Sequence, residues 1–478
     1  MYKLLGFLAG PALFLIILLT VQTASLDPKA PQVLALAAWM VVWWITEAVP
    51  LPVTALLPLV IFPILQVFSM ADAAAPYANP IIFLFMGGFM IALAMEKQNL
   101  HRRIALNIIR VTGTKANGII LGFMLATAFL SMWISNTAAA VMMLPIAVSI
   151  VTLLREQQSG EEEESYRKFK LGLLLSIAYA ANIGGITTII GTPPNVVLAG
   201  YMQEFYQTEI DFGRWLLIGV PCCFILLAAT YFLITRVLFP HRLQKLAGSE
   251  TLIQDKLQEL GPMTLAEKLV SIVFFFTAFA WIFKAQLNQL LGASYLNDTV
   301  IAMAGGTLMF VLPVNLASQK FVLDWSSTQK LPWGILLLFG GGICLAKSLE
   351  ITGVVEYVGT KMAGEGAMPL WLLILLLTTF TVYITEVMSN VALTVIFVPV
   401  VLGIAQSLQV NPMLLAVPVT IASSCAFMMP VSTPPNAVVF SSGFIKISEM
   451  VRAGFFLNLI SVFVLVAIAL TLVNWVYG

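Results

Sequence analysis

Ser131-Met132-Trp133-Ile134-Ser135-Asn136-Thr137 and Thr385-Glu386-Val387-Met388-Ser389-Asn390-Val391 are the two stretches on which the reading of this chain turns. Each carries a Ser-Asn pair between long apolar runs, where polar side chains are costly unless something binds them. Ser389-Asn390 follows Ser135-Asn136 by 254 positions. The same interval separates Pro399 from Pro145, Gly341-Gly342 from Gly87-Gly88, and Glu350 from Glu96. A second pair, Thr192-Pro193-Pro194-Asn195 and Thr433-Pro434-Pro435-Asn436, is 241 positions apart. The interval shortens because the first copy holds the charged insert Arg155 to Lys170, where the second has only Gln406-Ser407-Leu408-Gln409. Matching landmarks in matching order make the chain a duplicated unit.

Composition sets the class. Of 478 residues, 60% are hydrophobic and 10% charged, against about 25% charged in soluble domains. That excess reads as an all-α polytopic protein of the lipid bilayer. A net charge of +1 gives no basis for binding nucleic acid. Leu4 to Val21 has only Lys3 before it and no clear small-residue cleavage site, so it reads as a first span. The cysteines Cys222, Cys223, Cys344 and Cys425 show no metal-ligand spacing and read as apolar fillers. His101 and His241, the two histidines, fall in basic loops, which removes most zinc and imidazole chemistry. Aspartates occur only at 27, 72, 211, 255, 298 and 324, in loops or near span ends, and no His-Glu-x-x-His is present. An intramembrane enzyme is not expected.

Apolar windows of about 20 residues place full spans near 4–21, 33–50, 53–68, 79–95, 171–202 and 214–238 in the first part. The second part gives 266–287, 298–316, 333–350, 412–442 and 453–476. Lys97 to Arg110 and Val354 to Met362 suit amphipathic helices in the membrane interface. The run from Ile119 to Leu154 is either one over-long helix or two half-helices meeting at a polar tip. The flanking Lys115 and Arg155 decide, because a re-entrant hairpin returns both to the cytoplasm. A second hairpin follows from Pro369 to Ala405. Residues 171–202 and 412–442 are each broken by their Thr-Pro-Pro-Asn turn, which frees backbone carbonyls. Glu161 to Glu164 reads as a solvated loop, and His241 to Lys268 as a linker.

With the first span set apart, each half has five full crossings, an odd number, which makes the repeat inverted. With about eleven spans and the N-terminus inside, 19 of the 24 Lys and Arg residues fall on the cytoplasmic side, leaving Lys29, Arg214, Lys284, Lys347 and Lys361 outside. The C-terminus then lies outside, and the membrane is the cell's inner (plasma) membrane.

Inverted repeats with broken helices put a substrate site near the midplane. A Ser-Asn tip opens a half-helix, whose amides and positive end favour an anion. Its side-chain oxygens, with carbonyls freed at the broken span, suit a hard cation such as Na⁺. The competing reading is that Ser, Thr and Asn merely join helices by hydrogen bonds; the ordered duplication argues against it. Glu386 and Glu47 are carboxylates in or near apolar runs, expected to be paired or interfacial, with proton coupling through Glu386 as the alternative. Trp39, Trp43 and Trp44 read as interfacial belt or packing.

At these residues the sequence resembles the divalent anion/sodium symporter family, the INDY-type dicarboxylate transporters. The similarity runs from Leu51-Pro52-Val53-Thr54 to the last span, and the paired Ser-Asn and Thr-Pro-Pro-Asn motifs carry it. The resemblance implies an elevator transporter, usually a homodimer, with a scaffold and a mobile transport domain. It implies one Na⁺ site at Ser131, Ser135, Asn136 and Thr187, and another at Thr385, Met388 (backbone), Asn390 and Met428. Substrate carboxylates would meet Ser135, Asn136, Thr137, Ser389, Asn390, the Val391 position and Pro430. Val391 departs from the family's hydroxyl residue, present in the first copy as Thr137. The organisation implied is 1–112 for the first span and first scaffold helices, 113–240 for the first transport elements, and 241–265 for the linker. Residues 266–365 then form the second scaffold helices and 366–478 the second transport elements.

The function expected is Na⁺-coupled symport of C4-dicarboxylates (succinate, malate, fumarate). The runner-up is an anion exchanger, or a carrier of citrate, tartrate or sulfate. A channel would conduct without saturable exchange, and the closed hairpin pair argues for a carrier.

Overall fold

A computed structural model describes residues 2–21, 26–155, 162–243, 249–363 and 368–478. Helices dominate, because backbone in a bilayer must satisfy its polar groups within its own segment. α1 (Tyr2–Thr20) and α2 (Ala30–Thr46) pack along each other. Phe7 stacks on Trp43, and Phe14 lies against Trp39. Trp44 is fully buried and donates its indole N–H to Leu51 O. The tryptophan cluster is therefore packing.

The third span expected over 53–68 is instead two short helices, α3 (Leu51–Thr54) and α4 (Leu57–Ile64). Pro58, in the first turn of α4, lacks the N–H that would donate to Thr54 O, and the helix is interrupted at Ala55-Leu56. α5 (Met70–Ala74) is capped by Ser69, and α6 (Pro80–Lys97) by Asn79, whose oxygen accepts from Ile81 N. α7 (Leu100–Thr112) is amphipathic, with Leu100, Ala105, Leu106 and Ile109 buried and Arg102 and Arg110 exposed. His101 sits on the buried face of α7 rather than in a loop, with Nδ1 3.0 Å from Met95 O.

α8 (Ala116–Ser131) and α9 (Asn136–Arg155) meet at the first Ser-Asn tip. α10 (Glu162–Gly185) and α11 (Pro193–Tyr206) are the two parts of the broken helix, and α12 (Phe212–Phe232) closes the half. The acidic run read as a loop opens α10 from Glu162 onward, with Glu163 and Glu164 exposed. Carboxylates in a first turn are favoured by the positive helix end. Glu161, with residues 156–160, lies outside the described residues.

The linker contains α13 (Ser249–Glu259). α14 (Leu265–Ile282) starts at a capping box between Thr264 and Glu267, then come α15 (Lys284–Leu291) and α16 (Asp298–Val311). A small hairpin of β1 (Pro313–Asn315) and β2 (Lys320–Phe321) is the one exception to an all-helical fold among the described residues. α17 (Trp333–Ile351), amphipathic α18 (Val354–Ala363), α19 (Leu370–Ile384), α20 (Asn390–Ser407), α21 (Pro412–Ser423), α22 (Pro434–Phe440) and α23 (Ile447–Ile468) repeat the order of α6 to α12. α24 (Asn474–Tyr477) ends the chain.

The closing helices match in detail. Both run on into a π-turn, at Leu233–Leu238 and Ala469–Val473. Each also presents a glycine to the backbone of the neighbouring break. A Cβ on Gly219 would lie 2.2 Å from Thr187 O, and one on Gly454 would lie 2.3 Å from Phe427 O. No larger residue fits at either point.

Eight helices among the described residues are long and apolar enough to cross a membrane, and six shorter apolar helices accompany them. Phe275, Phe276 and Phe279 on α14 and Leu308 and Val311 on α16 point outward, as a lipid-facing surface requires. Residues 171–190 and 413–427 are buried throughout. That is where broken backbone is tolerated at membrane depth: inside protein, away from lipid.

Candidate functional site

The two tips are built alike. Ser131 ends α8, and its hydroxyl lies 2.7 Å from Asn136 Oδ1 and 2.6 Å from Ala181 O of α10. Thr385 follows α19, and its hydroxyl lies 2.8 Å from Asn390 Oδ1 and 2.6 Å from Ser423 O of α21. A hydroxyl has one proton and can donate to only one of its two neighbours. Each half therefore gathers three oxygens around a single proton, with Ser131 and Thr385 fully buried. A hard cation is the partner such a set of oxygens suits.

At the tips themselves, Ser135 Oγ accepts from Ala138 N (3.2 Å) and Ser389 Oγ from Ala392 N (3.5 Å). These caps satisfy one amide each. The amides of Asn136 and Thr137, and of Asn390 and Val391, lie in first turns, where no intrahelical acceptor exists. Together with the positive helix ends they favour an anion. Val391 thus still offers an N–H where it lacks a hydroxyl.

Both tips border one cavity of about 1110 Å³. Of the expected site residues, Ser135, Asn136, Thr137, Met388, Ser389, Asn390 and Val391 line it. Ser131 and Thr385 are buried behind their tips, and Thr187 is buried at the first break. Met428 and Pro430 do not line the cavity; the second break contributes Val431, Ser432 and Thr433 instead. Thr192 and Thr433 from the paired Thr-Pro-Pro-Asn turns complete the wall, and Glu47, Glu96 and Lys330 are its charged residues. Glu47 is exposed, 3.9 Å from Lys3. Close packing holds the first tip in place, since a Cβ on Gly185 would lie 2.4 Å from Asn136 Oδ1.

The halves differ one residue after Ser131 and Thr385. In the first, the Met132 carbonyl accepts from the Thr188 hydroxyl at 2.6 Å. In the second, Glu386 takes the place of Met132 and is 3% exposed. Its carboxylate accepts from the amides of Phe427 (2.7 Å), Met428 (2.9 Å) and Met429 (3.1 Å). Ser432 Oγ (2.5 Å) and Asn458 Nδ2 (2.7 Å) donate as well. Among the described residues Glu386 thus pairs with no lysine or arginine, and it lies buried within the protein. It is the anchor that shapes the second break. The sequence signal was a single acidic residue beside a tip, which did not name its partners.

Asn182 was not legible in the sequence either. It lies on α10, borders the cavity, and donates across to the second half at Ala426 O, Thr433 Oγ1 and Asn436 Oδ1.

Residues 2–478 match the family model described as the sodium:sulfate symporter transmembrane region. A sodium-dependent dicarboxylate transporter, SdcS, of Staphylococcus saprophyticus is 42% identical over 480 residues, covering 100% of this chain and 92% of that protein. The protein of the same name from Staphylococcus aureus is 39% identical over 479 residues, with the same coverage. Among solved structures, the Alcanivorax borkumensis YdaH transporter is similar at TM-score 0.59 and 13% identity, over 91% of this chain and 97% of that one. Neisseria gonorrhoeae MtrF is similar at TM-score 0.55 and 11% identity, over 96% of each chain. These two likenesses concern the fold alone. The full-length family match and the 42% identity decide the matter: this chain belongs to the sodium:sulfate symporter family of membrane transporters, the divalent anion/sodium symporters.

Proposed function

We propose that this chain is a secondary transporter that couples uptake of C4-dicarboxylates (succinate, malate, fumarate) to Na⁺. The observation that carries the reading is the pair of three-oxygen, one-proton clusters at Ser131 and Thr385, set behind two tips that face one cavity. Sodium at these clusters would bring positive charge beside amides already suited to carboxylates. The names of the full-length relatives, sodium-dependent dicarboxylate transporters, support the same substrate class.

In this reading α8–α9 and α19–α20 are re-entrant hairpins in an eleven-span, inverted-repeat protein of the plasma membrane. Its N-terminus is inside and its C-terminus outside. Residues 113–240 and 366–478 move as a transport unit against scaffold helices in 1–112 and 266–365, within a homodimer. The first Na⁺ takes ligands from Ser131, Ser135, Asn136 and the backbone near Thr187, and the second from Thr385, Met388, Asn390 and the backbone near Met428. Carboxylates are held by Ser135, Asn136, Thr137, Ser389, Asn390 and the Val391 amide, with Pro430 behind the second wall.

The test is uptake of labelled succinate into proteoliposomes under an inward Na⁺ gradient. Strong uptake with Na⁺ and little with K⁺ is expected. Uptake driven by internal dicarboxylate without Na⁺ would make the protein an exchanger, and uptake of sulfate but not succinate would replace the substrate.

A further inference from the structure

The Asn182 side chain is 1% exposed and sits one helical turn before Gly185, the residue that abuts Asn136. Its nitrogen lies 3.2 Å from Ala426 O, 3.1 Å from Thr433 Oγ1 and 3.4 Å from Asn436 Oδ1. A carbonyl and an amide oxygen can only accept, which fixes the end of Asn182 that faces them as the NH₂. Asn436 is fixed in turn, because its own nitrogen donates to Ala426 O and Met429 O. With its donors committed to the second break, Asn182 has one polar side-chain atom left for the cavity that the residue borders, its oxygen.

That oxygen is out of keeping with its surroundings. The tips offer donors, as carboxylates require, whereas Asn182 Oδ1 can only accept. A carboxylate gains nothing from it, and succinate, with only C–H between its carboxylates, leaves it without a donor. We infer that Asn182 Oδ1 accepts a hydrogen bond from a hydroxyl on the carbon backbone of the substrate. The site therefore favours 2-hydroxy C4-dicarboxylates over analogues of equal size that lack the O–H. Buried acceptors reject a substrate that leaves them unpaired more sharply than apolar walls reject a change of size.

The repeat supplies only one such acceptor. The counterpart of Asn182 is Ser424, which follows the Thr385 acceptor Ser423 O as Asn182 follows the Ser131 acceptor Ala181 O; the Ser424 side chain is buried and does not border the cavity. A hydroxylated substrate is thus held in one orientation, with its hydroxyl toward α10.

This inference rests on the proposed dicarboxylate transport, and the experiment separates the two. Inhibition of Na⁺-driven labelled-succinate uptake in proteoliposomes is compared for malate and for methylsuccinate, each enantiomer tested. The hydroxyl and methyl groups are close in size, so the comparison reads the hydrogen bond. The better malate enantiomer is expected to inhibit about 3- to 10-fold more strongly than either methylsuccinate. Equal inhibition, or stronger inhibition by methylsuccinate, overturns the inference while leaving dicarboxylate transport intact. No Na⁺-driven succinate uptake at all overturns the transport reading instead. In Asn182→Ser the malate preference should fall toward unity. A preference kept in that variant, with only Na⁺ activation altered, would place Asn182 on the cation side and also overturn the inference. The wild-type comparison decides even if the variant does not fold.

Discussion

Ser131 and Thr385 occupy the same place in the two halves, each hydroxyl within 2.8 Å of a tip asparagine oxygen and 2.6 Å from a backbone carbonyl of the broken helix. The match extends to chemistry, because Ser and Thr differ by a methyl group and share the hydroxyl. Removing that hydroxyl should weaken Na⁺ dependence in either half. Ser131→Ala and Thr385→Val are each expected to raise the Na⁺ concentration for half-maximal uptake about 10-fold or more, while Thr385→Ser is tolerated. Unchanged Na⁺ activation in purified Ser131→Ala and Thr385→Val would remove the cation assignment.

Glu386 should behave as a structural anchor and not as a proton carrier. Glu386→Gln keeps one acceptor oxygen, which can still serve Phe427 and Met428, and puts an NH₂ where the other oxygen accepts from Met429 and Ser432, leaving the Met429 amide unpaired. An unpaired buried group costs about 1–3 kcal/mol, so the variant should melt well below wild type in detergent. The pH dependence of uptake should be the same in any active fraction. A variant of normal stability with an altered pH profile would point to proton coupling.

Thr137 and Val391 both line the cavity at matching places. Thr137 can add a hydroxyl bond to a carboxylate, and Val391 offers only its amide. A hydrogen bond to a charged group contributes about 1.5–3 kcal/mol. Thr137→Val should therefore weaken succinate affinity about 10- to 100-fold at saturating Na⁺, whereas Val391→Thr should be neutral or tighten it. Equal, small effects at both positions would mean that neither side chain touches substrate.

Lysines of the second half hold the α11–α12 corner of the first. Lys284 lies 2.7 Å from Asp211, 2.9 Å from Asp298 and 3.5 Å from Glu209, and Lys347 lies 2.7 Å from Glu204. Burial pushes the Asp211 carboxyl up, but the Lys284 bond and charge, with amides of Arg214 and Gly213, outweigh it and hold the carboxyl below its ordinary value. Asp211 therefore stays ionised at neutral pH, and its contribution is lost only on acidification below the ordinary carboxylate range. Lys284→Gln leaves buried Asp298 without its cation and should be strongly destabilising, by about 3–5 kcal/mol. Adding Asp298→Asn should recover most of that loss. Melting curves of the two variants at pH 7 check this, and a double variant no better than Lys284→Gln would refute it.

The sequence alone determined the architecture's outline: two matching tips, two broken helices, amphipathic segments at 97–110 and 354–362, and a membrane composition. Those features are local. Apolar run length, proline and glycine positions and the fixed repeat interval need no knowledge of what packs against what. It mistook Glu162 to Glu164 for a loop, because an acidic run reads as solvated whether or not it opens a helix. It drew one span over 53–68, because hydropathy averages over the break at Ala55-Leu56.

Only the tertiary structure decided the partners. Glu386 accepts from residues about 41 to 72 positions away, and Asn182 donates to acceptors 244 to 254 positions away. Hydrogen bonds over such separations leave no periodicity in the chain. The direction in which an amide points, and so whether a cavity meets a donor or an acceptor, is set by groups that folding alone brings together.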